Sequence, residues 1–269
     1  MKDIIKYSFS ILIMISCLIL FTIMAFKTIV FGDISGKDDN LDEPGKQEQN
    51  IEVDKEPEKD DRPVKPDKVK PEDAPFTTAD ASYFNDALFI GDSRTMGLKE
   101  YGQMEGAEFF ANTGMSVYNV KEKVVNVPSV GDVTIEQLLS AKQYGKIYLM
   151  LGINELGYNR DNTVQKYKEL VDYIRSKEPD ALIFIEANLH VSAARSDSDS
   201  IFNNNSINEF NSRISEFIDN EKTFYIDANE IFDDENGNLG AEYTSDNTHV
   251  LGKYYVNWKD WILTKAIVK

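Results

Sequence analysis

At 269 residues, with 42% hydrophobic and 11% aromatic side chains, the chain can bury one sizeable core plus appendages, which excludes a wholly disordered protein. A net charge of -17 argues against nucleic acid as a partner, because each phosphate contact needs a cation and the surface field repels a polyanion. One cysteine, Cys17, excludes an internal disulfide and a cysteine-held zinc, and two histidines, His190 and His249, leave few places for imidazole chemistry; no metal and no cofactor is expected.

Residues 1–32 open with Lys2 and Lys6, run apolar from Tyr7 to Phe26, and meet Lys27. About 20 apolar residues at about 1.5 Å each match a hydrocarbon core about 30 Å thick. The segment is read as a transmembrane anchor. The competing reading is a cleaved signal peptide, whose apolar region normally runs about 7–15 residues and whose best small-residue site here, Val30-Phe31-Gly32, lies beyond Lys27. Cys17 is followed by more apolar residues, which disfavours a lipoprotein. Lysines at the front predict the N-terminus inside and the rest of the chain outside, single-pass at the cell membrane, with secretion as the alternative.

Residues 33–77 are rich in Asp, Glu, Lys and Pro and carry too little apolar area to offset chain entropy. They are expected to form a disordered acidic linker spanning roughly 35–40 Å as a flexible coil, and more with proline and charge repulsion.

Residues 78–269 alternate two kinds of segment. Strand candidates are Ala87–Gly91, Ala107–Ala111, Lys146–Gly152, Ala181–Ala187 and Thr223–Ala228, mostly continuous apolar runs of the kind that suit strands covered on both faces. Helix candidates are Thr163–Lys177, Ser206–Asn220 with Asn205 or Ser206 as cap, and the closing stretch from Leu251. The pattern predicts an α/β protein: a flavodoxin-like three-layer sandwich with a central parallel sheet of about five strands, ligands meeting the carboxyl ends of the strands.

Strand ends therefore carry the candidate chemistry. Ser93 follows the first strand in Gly91-Asp92-Ser93 and falls in the first turn of the next helix, where free N–H groups and the helix dipole favour negative charge. Either Asp92 or Ser93 equally suits an ordinary cap. Gly114 follows the second strand and leaves its N–H unobstructed; Asn154 follows the third in Gly152-Ile153-Asn154-Glu155; both also suit plain turns. Near the C-terminus Asp246 and His249 are three apart, a spacing that lets a carboxylate orient an imidazole, or that makes a simple surface pair. His190 is the rival base, but no acid stands at useful spacing from it, so a pocket-wall or structural role is expected.

Taken in order, Gly91-Asp92-Ser93, Gly114, Gly152-x-Asn154 and Asp246-x-x-His249 resemble the GDSL or SGNH hydrolase family of esterases and acylhydrolases, over residues 81–269. The resemblance implies Ser93 as nucleophile, His249 as general base and then acid, Asp246 as the residue orienting it, and the Ser93 N–H, Gly114 N–H and Asn154 amide as an oxyanion hole. Two positions depart from the family pattern. Arg94 stands where leucine gives the family its name, either meeting an anionic or polar substrate or solvated, and Glu155 stands where aspartate is common. The implied activity is hydrolysis of acyl esters, O-acetyl above all, with cell-wall or surface polysaccharide as the acylated partner. Alternatives are an O-acyltransferase using the same triad and a non-catalytic anchored carbohydrate-binding domain.

Overall fold

The computed structural model describes residues 69–268. The anchor expected over 1–32, and the linker expected over 33–77 as far as residue 68, lie outside them; no helix among the described residues is long and apolar enough to cross a membrane.

Five parallel strands form the main sheet: β1 (Ala87–Gly91), β2 (Glu108–Ala111), β5 (Lys146–Met150), β6 (Leu182–Glu186) and β7 (Thr223–Ile226), in the order β2-β1-β5-β6-β7. Every residue of β1, β5 and β6 is buried, as continuous apolar runs require when both faces of a sheet are covered. All five lie within the runs read from the sequence, trimmed by a few residues where the chain leaves the ladder. A short antiparallel hairpin, β3 (Val125–Val127) with β4 (Gly131–Val133), was not legible, since three-residue strands offer too little alternation.

Side-chain alternation divides the core by chemistry. Leu88, Ile90, Ile147, Leu149, Ile183 and Ile185 point to one face. There they meet Leu138 of α2 (Ile135–Ala141), Tyr167, Leu170 and Ile174 of α3 (Arg160–Lys177), and Ile207, Phe210 and Ile214 of α5 (Asn204–Ile214). Phe89, Tyr148, Phe184 and Phe224 point to the other and, being in register, stack across four strands with ring centroids 4.3, 4.6 and 5.7 Å apart. Leu98 of α1 (Ser93–Tyr101) and Tyr255, Trp258 and Ile262 of α7 (Tyr255–Leu263) cover that aromatic ladder. The result is the expected three-layer arrangement.

Helix ends follow from local polar chemistry. The Asp92 carboxylate accepts from Arg94 N at 2.9 Å and caps α1, leaving Ser93 as the first helical residue. Asn203, rather than Asn205 or Ser206, caps α5 through Ser206 N at 2.9 Å. The reason is tertiary: its neighbour Asn204 is buried, bonding Val191 at both N and O. The same helix stops at Ile214 rather than Asn220, and the closing stretch is helical only over Tyr255–Leu263, after which Ala266 pairs with Thr77.

That pairing corrects the N-terminal edge of the folded unit. Pro71–Asp73 form a 3-10 turn, Lys70 O accepts from Asn220 Nδ2 at 2.7 Å, and Phe76 packs on Phe224. Ordered structure thus begins within the span assigned to the linker, because a single aromatic at 76 finds the end of the aromatic ladder.

Candidate active site

Strand order reverses at β1: the chain passes from β1 to β2 on one side and then to β5 on the other. In an open α/β sheet such a point leaves a crevice beyond the carboxyl ends of the strands. Here the segments that follow β1, β2 and β5 carry Ser93, Gly114 and Asn154, and all three line one cavity of about 480 Å³.

Asp246, Thr248 and His249 line it too, on a loop whose ends are pinched by an antiparallel bridge between Thr244 and Val250. Asn247 takes a left-handed φ of 66°, a conformation asparagine tolerates better than most residues, and this turns the loop. Two bonds hold the turn to the segment that follows β6: Ser192 N donates to Asn247 O at 3.0 Å and Ser192 Oγ to Asn247 Oδ1 at 2.8 Å.

The polar atoms then form a continuous chain. Ser93 Oγ lies 3.0 Å from His249 Nε2, and His249 Nδ1 lies 2.7 Å from Asp246 Oδ2. Asp246 Oδ1 accepts in addition from the backbone N–H groups of Thr248 at 2.9 Å and His249 at 2.8 Å. Partial burial pushes the Asp246 carboxyl up, but these bonds and the His249 ring outweigh it and hold the group well below the usual carboxylate range. An ionised Asp246 accepting at Nδ1 selects the tautomer in which Nε2 is a free base facing Ser93 Oγ.

On the opposite wall Gly114 has φ +72°, a left-handed conformation natural to glycine, and the space where a Cβ would sit is open. Asn154 Nδ2 donates to Met115 O at 3.0 Å and makes a longer 3.4 Å contact to Asp92 Oδ2. One amide hydrogen thus fixes the side chain, and the other is only loosely held.

Both departures from the family pattern find physical reasons. Glu155 is buried, and its Oε1 accepts from Val117 N, tying the turn after β5 to the loop that carries Gly114. Burial pushes this carboxyl up to about 7 against that bond. The extra methylene relative to aspartate supplies the reach. Arg94 is not solvated: it is 1% exposed, with Nη2 3.4 Å from Thr248 O, and faces buried Asp92.

His190 stays apart from this constellation. The expectation that it lacks an acid is overturned by Asp233, whose carboxylate lies 2.8 Å from Nδ1, with Asn208 Oδ1 at 2.8 Å from Nε2. The acid comes from 43 residues downstream, which spacing along the chain cannot reveal. His190 does not line the Ser93 cavity, and its bonds join the β6 loop to α5 and to the segment after α6 (Asn229–Phe232). Sequence reasoning also missed Arg195 and Phe202 on the cavity wall; Arg195 lies within a short helix and Phe202 beyond it, well past the end of β6, so no strand-end signal marked them.

Residues 89–253 match the model of the GDSL-like Lipase/Acylhydrolase family. Among solved structures, a GDSL-like lipase from Bacteroides thetaiotaomicron has a TM-score of 0.51 at 16% identity, covering 68% of this chain and 90% of that one. A G-D-S-L family protein from Desulfitobacterium hafniense has a TM-score of 0.51 at 13% identity, covering 67% and 98%. At such identities the likeness is one of fold. No curated protein matches the sequence.

Proposed function

The chain belongs to the GDSL-like lipase/acylhydrolase family, and on that premise we propose that it is a serine esterase acting through Ser93, His249 and Asp246. The observation that carries the reading is the unbroken polar chain from Ser93 Oγ through His249 to Asp246 at the wall of an open cavity.

In this mechanism Ser93 Oγ bonds to the acyl carbon while its proton passes to His249 Nε2, and the carbonyl electron pair moves onto oxygen. The oxyanion is met by the N–H of Ser93 at the start of α1, the Gly114 N–H, and the loosely held Asn154 hydrogen. Collapse returns the electron pair, breaks the ester bond and sends the alcohol away with the proton from His249. Water then repeats the sequence on the acyl-serine, releasing acid and restoring Ser93. Asp246 stays ionised throughout and balances the imidazolium. The His249 side chain is 44% exposed, which admits water to the acyl-enzyme and favours hydrolysis over transfer to a second alcohol.

The apolar run over residues 7–26 supports anchoring at the cell membrane with this domain outside. That location supports O-acetyl esters of cell-wall or surface polysaccharide as substrates.

The test is 4-nitrophenyl acetate hydrolysis by the wild type, Ser93→Ala and His249→Ala. Wild-type turnover with a loss of at least about 10³-fold in both folded variants is the expected result. Turnover indifferent to either change overturns the triad, and failure of a phosphonate to label Ser93 in an inactive wild type supports a binding domain instead.

A further inference from the structure

Two arginines stand in the wall of the Ser93 cavity, although the ester chemistry requires no cation there. Arg94, buried in the first turn of α1, reaches Thr248 O through Nη2 at 3.4 Å, and its Nε and Nη1 have no hydrogen-bond partner among the described residues. Buried Asp92 faces it and balances its charge. Arg195 lies on α4 (Ala193–Ser198), a helix capped by Ser192, and approaches Thr248 from the other side, donating from Nη1 to Oγ1 at 2.9 Å.

Arg195 is the more exposed of the two, and its ion pair with Asp199 is long. Its acidic neighbour, Asp199, touches Nη2 only at 3.4 Å. The other oxygen of that carboxylate closes a turn, accepting from the N–H groups of Ile201 and Phe202 at 2.9 Å each. Arg195 Nε has no partner among the described residues. The guanidinium carbon lies 5.2 Å from the centroid of the Phe202 ring, so an aromatic wall holds the planar fork in place and shields one face. A guanidinium has five N–H donors, and those of Arg195 are spent on one good bond and one long one. The result is a preoriented cation in the wall of the cavity that Ser93 also lines, in a chain of net charge -17 whose surface field otherwise repels anions.

We propose that Arg195 is a specificity-determining residue that binds a carboxylate carried by the substrate, making esters with an anionic group in their acyl or alcohol part the favoured class. The inference rests on the esterase reading of Ser93 for its kinetic consequence, but the anion site itself can be read from binding alone.

Two matched pairs test it on the full chain: 4-nitrophenyl hydrogen adipate against its methyl ester, and 4-acetoxybenzoate against methyl 4-acetoxybenzoate. Charge-assisted hydrogen bonding predicts a preference of about tenfold or more in kcat/KM for the carboxylate member of at least one pair. The preference shrinks as salt is raised. Arg195→Gln abolishes it, its loss falling about tenfold harder on the carboxylate member than on the methyl ester of the same pair, and Arg195→Lys retains part of it. Equal rates within both pairs overturn the proposal. So does an Arg195→Gln loss that is the same for charged and neutral esters, which assigns Arg195 to positioning Thr248. If all four esters resist hydrolysis, the esterase reading fails, and calorimetric titration of 4-acetoxybenzoate into Ser93→Ala decides the anion site. Binding that disappears in the Ser93→Ala, Arg195→Gln double variant supports it; absence of carboxylate-dependent binding overturns it.

Discussion

At the scale of single residues the site works by dividing labour between well-held and loosely held polar groups. Asp246 accepts hydrogen bonds from Thr248 N, His249 N and His249 Nδ1, which in the proposed mechanism keep it ionised and stationary beside the imidazole. Asn154 is anchored by Met115 O, and in the proposed mechanism its other hydrogen meets the oxyanion. Removing one such donor typically costs about 2.7–4 kcal/mol of transition-state stabilisation. Asn154→Ala is therefore expected to fold with an unchanged circular dichroism spectrum and to lose about 10²–10³ in kcat, with near wild-type turnover ruling out the oxyanion assignment. Glu155 acts one step back, as a positioning residue through Val117 N. Glu155→Gln keeps an accepting oxygen at the same reach and is expected to retain most activity, whereas Glu155→Ala frees the Gly114 loop and lowers kcat by about tenfold or more. Steady-state kinetics on the pair reads the difference, and equal losses would reject the tether.

Between elements, the geometry depends on how closely α5 approaches the end of β5. Gly152 has φ +124°, and a Cβ there would run into the Phe210 ring, which itself packs edge-on against Tyr167 of α3. Gly152→Ala combines backbone strain of about 1–3 kcal/mol with overpacking of similar size. Urea unfolding should show a lower midpoint and an unfolding free energy reduced by that order, and activity should fall with it because Asn154 follows two residues on. A midpoint unchanged from wild type would show that Phe210 can swing aside at little cost. Elsewhere the elements were readable because each carries its own signal: apolar runs for β1, β5 and β6, amphipathic spacing for α3 and α5. The caps were less so, since the choice of Asn203 depends on Asn204 being drawn to Val191, a partner on another segment.

For the whole molecule, two consequences concern stability. Glu186 ends β6 fully buried; burial, reinforced by Asp92, pushes its carboxyl up to about 8 from an ordinary 4.5. The folded state thus retains a proton that the unfolded chain releases. Stability from this group is complete below about pH 4.5 and is lost as pH rises towards 8, by at most about 1.4 kcal/mol per pH unit. Glu186→Gln cannot ionise, so thermal unfolding should find the variant gaining on wild type between pH 5 and 8 and holding a constant lead above; a gap independent of pH would refute the buried-acid account. His190 adds to the same trend. Asp233 and Asn208 raise its pKa against the lowering effect of burial, so its contribution is present at low pH and lost as pH rises through the folded value. The second consequence concerns the edge of the fold. A chain beginning at Lys70 keeps the Thr77–Ala266 pairing and the Phe76–Phe224 contact, and is expected to melt several degrees above one beginning at Thr78. Equal melting temperatures would return residues 70–77 to the linker.

By itself the sequence determined the layer architecture, the five main strands and the identities of Ser93, Gly114, Asn154, Asp246 and His249 as strand-end and loop candidates. Those signals are local: an apolar run, a turn residue, a carboxylate three positions from an imidazole. Tertiary structure alone decided that Ser93 and His249, 156 residues apart, meet at 3.0 Å, that His190 is taken by Asp233, and that Arg94 and Arg195 converge on Thr248. The reason is physical. Hydrophobic periodicity says which face of an element is buried, but which loops share a crevice is set by strand order, and strand order follows from packing of the whole sheet.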